Sequence, residues 1–211
     1  MTHNEFDLFS RGNEFDRLIK NTICTNLHEE QQNIETSFSY LAQLFNNNKE
    51  DGGAIYVIGN GGSAAVAAHA VTDLVNACHL RAFTLHESSL ITCMANDFGY
   101  EHSFKHIIHS VFKKNDILIA ISSSGKSPNI HNAVRMAKEV GGVVVTLSGF
   151  SHDNPLRTMG DFNFWLNASD YGLVEIGHLF LLHNLADRIA ITIKKEVKID
   201  YSIATLLSNT A

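Results

Sequence analysis

The sequence predicts an α/β protein in which helices cover both faces of a parallel sheet. Five short apolar runs rich in Val, Ile and Leu alternate with longer segments whose apolar residues recur at helical spacing. Several runs are almost continuously apolar, as strands buried on both faces should be. Strands that alternate with helices over short connections are typical of parallel sheets. The predicted strands are residues 54–58, 81–85, 117–121, 143–147 and 162–166.

Four helices are predicted between and after these strands, at residues 63–77, 90–111, 129–140 and 173–195. Another helical pattern precedes them. Between Phe15 and Phe45 apolar residues recur at spacings of three, four and seven, which indicates one long amphipathic helix or two joined ones. We therefore predict a helical segment at 1–50 that packs subunits together. One compact domain follows it at 51–211.

Composition excludes several classes of protein. A length of 211 residues suits one domain with a full core, and a net charge of −6 argues against a protein that neutralises nucleic-acid phosphates. The chain has no run of 18 apolar residues and no apolar stretch near its start, so neither a membrane span nor a secretory signal is expected. Cys24, Cys78 and Cys93 are odd in number and widely spaced, which fits a reducing compartment. These features predict a cytoplasmic globular protein.

The first candidate ligand loop is GNGGSA, which begins at Gly59 and connects a predicted strand to an alanine-rich helix. Glycines allow close approach of a ligand to the backbone, and the start of a helix presents free N–H groups that favour an anion. The same sequence also fits the dinucleotide-binding fingerprint. A tight strand-to-helix turn that binds no ligand could have this sequence as well. Glu87 lies 28 residues past Gly59, a poor match to the acid that holds a nucleotide ribose about 20 residues on.

The second candidate loop is SSSGKSPN, which begins at Ser122 directly after another predicted strand. Its serines supply hydroxyl and amide donors, although Ser127 could act only as the N-cap before Pro128. Ligands of parallel sheets bind beyond the carboxyl ends of the strands, where both loops should lie. A phosphorylated sugar would use both loops, whereas a dinucleotide would need only the first.

A third group consists of histidines and carboxylates on predicted helices. His69 and Asp73 are four residues apart and share a helix face. Glu175 and His183 share another face, about 80° apart around the axis and about 12 Å apart along it. Such residues suit zinc or a similar divalent ion. An ordinary surface pair at His69 and Asp73, and a core or interface histidine at His183, are the alternatives.

Three motifs, GNGGSA, CMANDFGYE at 93–101 and ISSSGKSPN, resemble the sugar isomerase (SIS) fold family and, within it, the phosphoheptose isomerases. The resemblance runs from about residue 55 to residue 193. It implies a single SIS domain with a three-layer, flavodoxin-like, five-stranded parallel sheet. It also implies an aldose–ketose isomerase that converts sedoheptulose 7-phosphate to D-glycero-D-manno-heptose 7-phosphate through an enediol. The product would serve bacterial surface heptose, in lipopolysaccharide or capsule.

The resemblance also implies roles for individual residues. The zinc ligands, one ion per subunit, would be His69, Asp73, Glu175 and His183. Asp73 would be the base and His183 the acid. The enzyme would be a homotetramer with sites at subunit interfaces. The implied substrate contacts are Asn60, Gly61, Gly62, Ser63, Asp73, Asn96, Asp97, Ser122, Ser123, Ser124, Ser127 and Glu175.

The sequence departs from the family pattern at three places. Asp73 stands for a Glu, Glu175 for a Gln, and Asn76-Ala77 for a Gly-Arg pair. The ligand set keeps its histidines and oxygens and gains negative charge, so a cation should still be held. The missing arginine fits an isomerase of another sugar phosphate. The departures together also leave open a non-catalytic SIS protein that acts by protein contact, although the retained histidines and carboxylates argue against it. A nicotinamide-binding protein would rest on the glycine loop alone.

Overall fold

A computed structural model of the chain describes residues 7–208, with side chains as far as Thr192. Within this range seven strands form one sheet in the order β2-β1-β7-β6-β5-β3-β4. The strands are β1 (Ile23–Asn26), β2 (Gln31–Gln32), β3 (Ile55–Ile58), β4 (Ala82–Thr84), β5 (Ile117–Ser122), β6 (Val143–Ser148) and β7 (Phe162–Trp165).

Five of these strands, β3 to β7, run parallel and match the five predicted ones. Their continuous apolar runs follow from their position, because helices cover the sheet on both sides. Every residue of β3 and of β5 is buried. The α/β class and the helix-flanked parallel sheet are therefore confirmed, but the sheet has seven strands rather than five.

The two additional strands form an antiparallel hairpin, where the sequence predicted only helix. β1 pairs with β7 at the edge of the parallel sheet. The Asn26 side chain organises the turn, since its Oδ1 accepts hydrogen bonds from the N–H groups of His28 and Glu30 at 2.9 and 3.0 Å. Glu29 takes the left-handed conformation, with φ of 62°. The prediction of an all-helical segment at 1–50 is therefore wrong over the hairpin.

Seven helices lie on the two faces of the sheet in the described range, together with two short 3₁₀ turns, Tyr100–His102 and Pro155–Thr158. One core cluster packs helices α1, α2, α3 and α7 against the sheet, and the other packs α4, α5 and α6 against the opposite face. The helices are α1 (Leu8–Lys20), α2 (Ile34–Glu50), α3 (Gly62–Asn76), α4 (Ser88–Phe98), α5 (Ser103–Val111), α6 (Pro128–Val140) and α7 (Tyr171–Ser208).

The predicted helix at 90–111 is broken into α4, the first 3₁₀ turn and α5. The break is at Gly99, whose φ of 83° and ψ of 147° are not helical. Glu87 caps α4, because its carboxylate accepts hydrogen bonds from the N–H groups of Ser89 and Leu90. Glu87 therefore has a local structural partner in place of a nucleotide ribose. None of the described helices combines the length and apolar character that a membrane crossing requires.

Candidate active site

The glycine loop and the serine loop meet at one edge of the sheet. β3 and β5 are parallel neighbours, so the loops that follow Ile58 and Ser122 leave the sheet side by side. They enclose a cavity of about 240 Å³. Its lining is Asn60, Gly61, Gly62, Ser63, Ile121, Ser122, Ser123, Ser124, Ser127, Tyr171 and Glu175. Nine of these residues are predicted substrate contacts, and the sequence analysis missed Tyr171.

The glycine loop turns sharply into α3. A Cβ on Gly59 would lie 2.6 Å from the backbone of Ser63, so only glycine fits this turn. Gly61 has φ of 54° and is the N-cap of α3, without a side-chain capping bond. The first N–H groups of α3 therefore lack a side-chain acceptor at the end of the helix that favours an anion.

Hydroxyl groups form the opposite wall of the cavity. The Oγ atoms of Ser122 and Ser127 are 3.2 Å apart, and the Oγ of Ser124 accepts a hydrogen bond from the N–H of Lys126. Ser123 is buried, and its Oγ has no hydrogen-bond partner among the described residues. Ser127 is the N-cap of α6 with Pro128 after it, as predicted, but its side chain makes no capping bond. These hydroxyls can therefore serve a ligand.

A second group of residues, His69, Asp73 and His183, lies where α3 packs against α7. The Oδ2 of Asp73 is 2.9 Å from Nδ1 of His183 and 3.7 Å from Nε2 of His69. One ligand atom from each residue can be chosen so that all three lie within 4.8 Å of one another. The two histidine side chains are about half exposed. Three of the four predicted metal ligands are thus together, with a donor set that suits a divalent transition metal.

Glu175, the fourth predicted ligand, lies elsewhere. Its carboxylate oxygens lie against Gly62, so that a Cβ on that glycine would collide with them. It lines the cavity and is absent from the three-residue group, among the residues with described side chains. Eight residues of helix, about 12 Å, separate it from His183. Glu175 therefore adds negative charge to the cavity.

Asn96 and Asp97 lie on α4 and do not line the cavity. Both are exposed, and Nδ2 of Asn96 donates to Oδ1 of Asp97 at 2.9 Å. The same motif contributes Tyr100 instead, whose hydroxyl donates to Oδ1 of Asn60 at 2.8 Å. Tyr100 was part of the motif CMANDFGYE, but nothing in its spacing indicated that contact.

His86 is a further residue that the sequence analysis missed. It lies two residues after the end of β4, and its Nε2 accepts a hydrogen bond from the N–H of Gly59 at 3.3 Å. Burial lowers the pKa of His86, which favours the neutral ring that this acceptor role requires. The sequence did offer a signal for this residue, because a histidine at the carboxyl end of a predicted strand lies where ligands of parallel sheets bind.

The fold and the two loops define the class of protein. The family model described as the SIS domain matches residues 15–149. This is more than half of the chain, and the chain belongs to the SIS domain family.

Several proteins to which this chain is similar are phosphoheptose isomerases. That of Helicobacter pylori (strain HPAG1) is 33% identical over 144 residues, which cover 65% of this chain and 74% of the relative. That of Fusobacterium nucleatum is 32% identical over 160 residues, which cover 74% of this chain and 80% of the relative. The solved phosphoheptose isomerase of Neisseria gonorrhoeae matches with a TM-score of 0.70 at 26% identity, covering 86% of this chain and 94% of that chain. The solved phosphoheptose isomerase of Francisella tularensis has the same fold, with a TM-score of 0.75 at 24% identity. The match covers 86% of this chain and 94% of that chain.

Proposed function

We propose that this chain is an aldose–ketose isomerase that converts sedoheptulose 7-phosphate to D-glycero-D-manno-heptose 7-phosphate. The observation that carries the proposal is the placement of an anion-binding cavity at the start of α3 and of the Asp73–histidine group farther along the same helix. Named relatives that are phosphoheptose isomerases support the same reaction.

The distance between the two parts fits a heptose phosphate. Gly62 begins α3, and His69 follows seven residues later, about 10 Å along the axis. The Asp73 carboxylate lies beside His69, since helical side chains lean toward the N-terminus. With C–C bonds of about 1.5 Å, an extended seven-carbon sugar with its phosphate is about 10 Å long. A phosphate bound at the start of α3, beside the serine loop, would therefore bring the C1–C2 end near Asp73.

Asp73 and His183 would move the protons. Isomerisation transfers one hydrogen between C1 and C2 through an enediol, which needs a base near those carbons and an acid for the carbonyl oxygen. Asp73 is assigned as the base. Nδ1 of His183 lies 2.9 Å from the Asp73 carboxylate, and Nε2 would exchange a proton with a substrate oxygen. His69 approaches the same carboxylate oxygen, and its ring centroid is 4.7 Å from that of His183.

A zinc or similar divalent ion, one per subunit, fits the donor set of His69, Asp73 and His183. Two imidazoles and a carboxylate within 4.8 Å of one another are the observation that supports this assignment. When bound, the ion would stabilise the negative charge that develops on the substrate oxygens.

The remaining contacts follow from the cavity. Asn60, Gly61, Gly62, Ser63 and the serines that line it would bind the phosphate and nearby hydroxyls. Asn96 and Asp97, which lie on exposed α4, would order sugar hydroxyls when the substrate is bound. We also propose a cytoplasmic homotetramer in which segment 1–50 packs subunits and the exposed histidines meet a neighbouring subunit. Its product would enter surface heptose biosynthesis.

Proton NMR of the purified protein with sedoheptulose 7-phosphate tests the reaction. We expect a new anomeric heptose signal that is lost on chelation and recovered with added zinc. Asp73→Asn, which keeps the side-chain volume, serves as the inactive control. Absence of the signal in both the untreated and the zinc-supplemented protein would refute the proposal.

One observation favours a second candidate, an isomerase of a different sugar phosphate. α3 ends at Asn76 with Ala77 as its cap, where the family pattern has an arginine, and Glu175 places a negative charge in the cavity. A panel of pentose, hexose and heptose phosphates in the same NMR assay separates the two candidates. A protein that binds zinc but turns over none of them would favour the non-catalytic alternative.

A further inference from the structure

Asn60 of the glycine loop and Asn129 of α6 form a reciprocal amide pair. The Nδ2 of each side chain donates to the Oδ1 of the other, at 2.9 Å in both directions. The residues are 69 positions apart, and Asn129 is only 2% exposed. The pair therefore ties the glycine loop to the helix that follows the serine loop.

The backbone fixes the orientation of both amides. The N–H of Ile130 donates to the side chain of Asn129 at 3.0 Å, and a backbone N–H can only donate. The Asn129 atom that it meets is therefore the oxygen. The side-chain nitrogen of Asn129 then faces Asn60. The atom of Asn60 that accepts its hydrogen bond must therefore be the side-chain oxygen.

Tyr100 supplies a second donor to that oxygen. Its hydroxyl lies 2.8 Å from Oδ1 of Asn60, in the turn that follows α4. The hydroxyl and Nδ2 of Asn129 together occupy both lone pairs of the Asn60 oxygen. One N–H of the Asn60 amide is then left without a partner among residues 7–192, and Asn60 lines the cavity.

We propose that Asn129 and Tyr100 are positioning residues that hold Asn60 as a pure hydrogen-bond donor to the ligand. The cavity wall at Asn60 therefore selects an acceptor oxygen, such as a phosphate oxygen, and disfavours a group that must donate there. The identity of the substrate in this inference rests on the proposed function. The hydrogen-bond arrangement does not.

A double-mutant cycle tests whether Tyr100 acts through Asn60. Tyr100→Phe removes one oxygen from a ring that is 51% exposed. It should raise KM for sedoheptulose 7-phosphate about three- to tenfold, as expected for one neutral hydrogen bond, and change kcat less than about twofold. In an Asn60→Ala background the same substitution should have no further effect. Asn129→Ala should behave likewise, with a larger rise in KM.

Two control variants separate positioning from general loss of stability. Tyr40→Phe removes the hydroxyl of an exposed tyrosine that packs on Phe162. Asn48→Ala removes a buried amide that donates to the carbonyl of Asn115, remote from the cavity. Both variants should leave KM unchanged. A rise in KM with Tyr100→Phe that is equal in both backgrounds would overturn the proposal.

NMR of the side-chain amides tests the hydrogen bonds of Asn60 directly and does not depend on substrate turnover. The Asn60 resonances are identified by their loss in Asn60→Ala, and Tyr100→Phe should shift them whereas Tyr40→Phe should not. Saturating inorganic phosphate should shift the free N–H of Asn60 in the wild-type protein. Unmoved resonances in either experiment contradict the inference. If both shifts occur but sedoheptulose 7-phosphate is not isomerised, the proposed function fails while the positioning role stands.

Discussion

His178 makes the stability of this protein depend on pH. It lies in α7 with no exposed surface, and its Nε2 is 3.1 Å from the carbonyl oxygen of Ser148. A carbonyl only accepts, so Nε2 carries the hydrogen and Nδ1 is bare in the neutral ring. Nδ1 has no partner in the part of the chain whose side chains are described. Burial lowers the pKa of His178 from its ordinary 6.5 to about 4, because a second proton would be an unpaired charge in the core.

The sign and size of the effect follow from that shift. Above about pH 6.5 the residue is neutral in both the folded and the unfolded chain. As the pH falls below 6.5, the unfolded chain takes up a proton that the folded chain refuses, so the free energy of unfolding decreases until about pH 4. The difference between the two pKa values corresponds to about 3 kcal/mol.

Urea unfolding at fixed protein concentration, from pH 7.5 to 4.5, measures this loss. His178→Gln retains a donor for the Ser148 carbonyl but does not titrate, so the fall in unfolding free energy should be smaller by about 2–3 kcal/mol. His109→Gln, which changes an exposed histidine of α5, should leave the fall as in the wild type. Equal falls in wild type and His178→Gln would refute the reasoning, as would an NMR titration of His178 near 6.5 in the folded protein.

Three further predictions concern the cavity, the acid–base group and the thiols. Asp73→Asn should reduce kcat at least about a hundredfold with an unchanged melting temperature; near-normal turnover by NMR would contradict this. Gly62→Ala should lower the affinity for inorganic phosphate severalfold, because its Cβ drives the Glu175 carboxylate into the cavity, and Glu175→Gln should raise that affinity. Equal calorimetric affinities would contradict both. Burial raises the pKa of the Cys24 thiol and raises that of the Cys78 thiol to about 11, whereas Cys93 is exposed. A disulfide reagent at pH 8 should therefore modify one thiol per chain rapidly. Rapid modification of a second thiol would contradict the burial of the other cysteines.

The parallel strands were predictable because both of their faces are buried. Each residue of β5 must be apolar or small to pack against a helix on one side or the other, so the run stands out in the sequence. The hairpin was not predictable in this way. Ile23 and Leu27 also lie at helical spacing, and the six polar residues after them fit a helix surface as well as a turn. What makes β1 a strand is its pairing with β7, nearly 140 residues away in the chain.

Residues of the candidate site could be predicted where their placement depends on a single helix or on a single loop after a strand. The four-residue spacing of His69 and Asp73 fixed their common face, and the two loops were found because they follow strands. The contacts between distant segments could not be predicted. Tyr100 reaches Asn60 only because Gly99 ends α4 and redirects the chain.

Glu175 shows why the resemblance, which grouped it with the metal ligands, did not by itself fix its position. Around the axis of α7 it faces the same way as His183, but along the axis the two residues are about 12 Å apart. α3 and α7 start at the same edge of the sheet, so Glu175 lies beside Gly62 while His183 lies beside Asp73. The paired helices thus set the cavity and the Asp73–histidine group at a fixed separation. Under the proposed function, a three-carbon sugar phosphate would be too short to reach both, so the helix spacing favours a longer substrate.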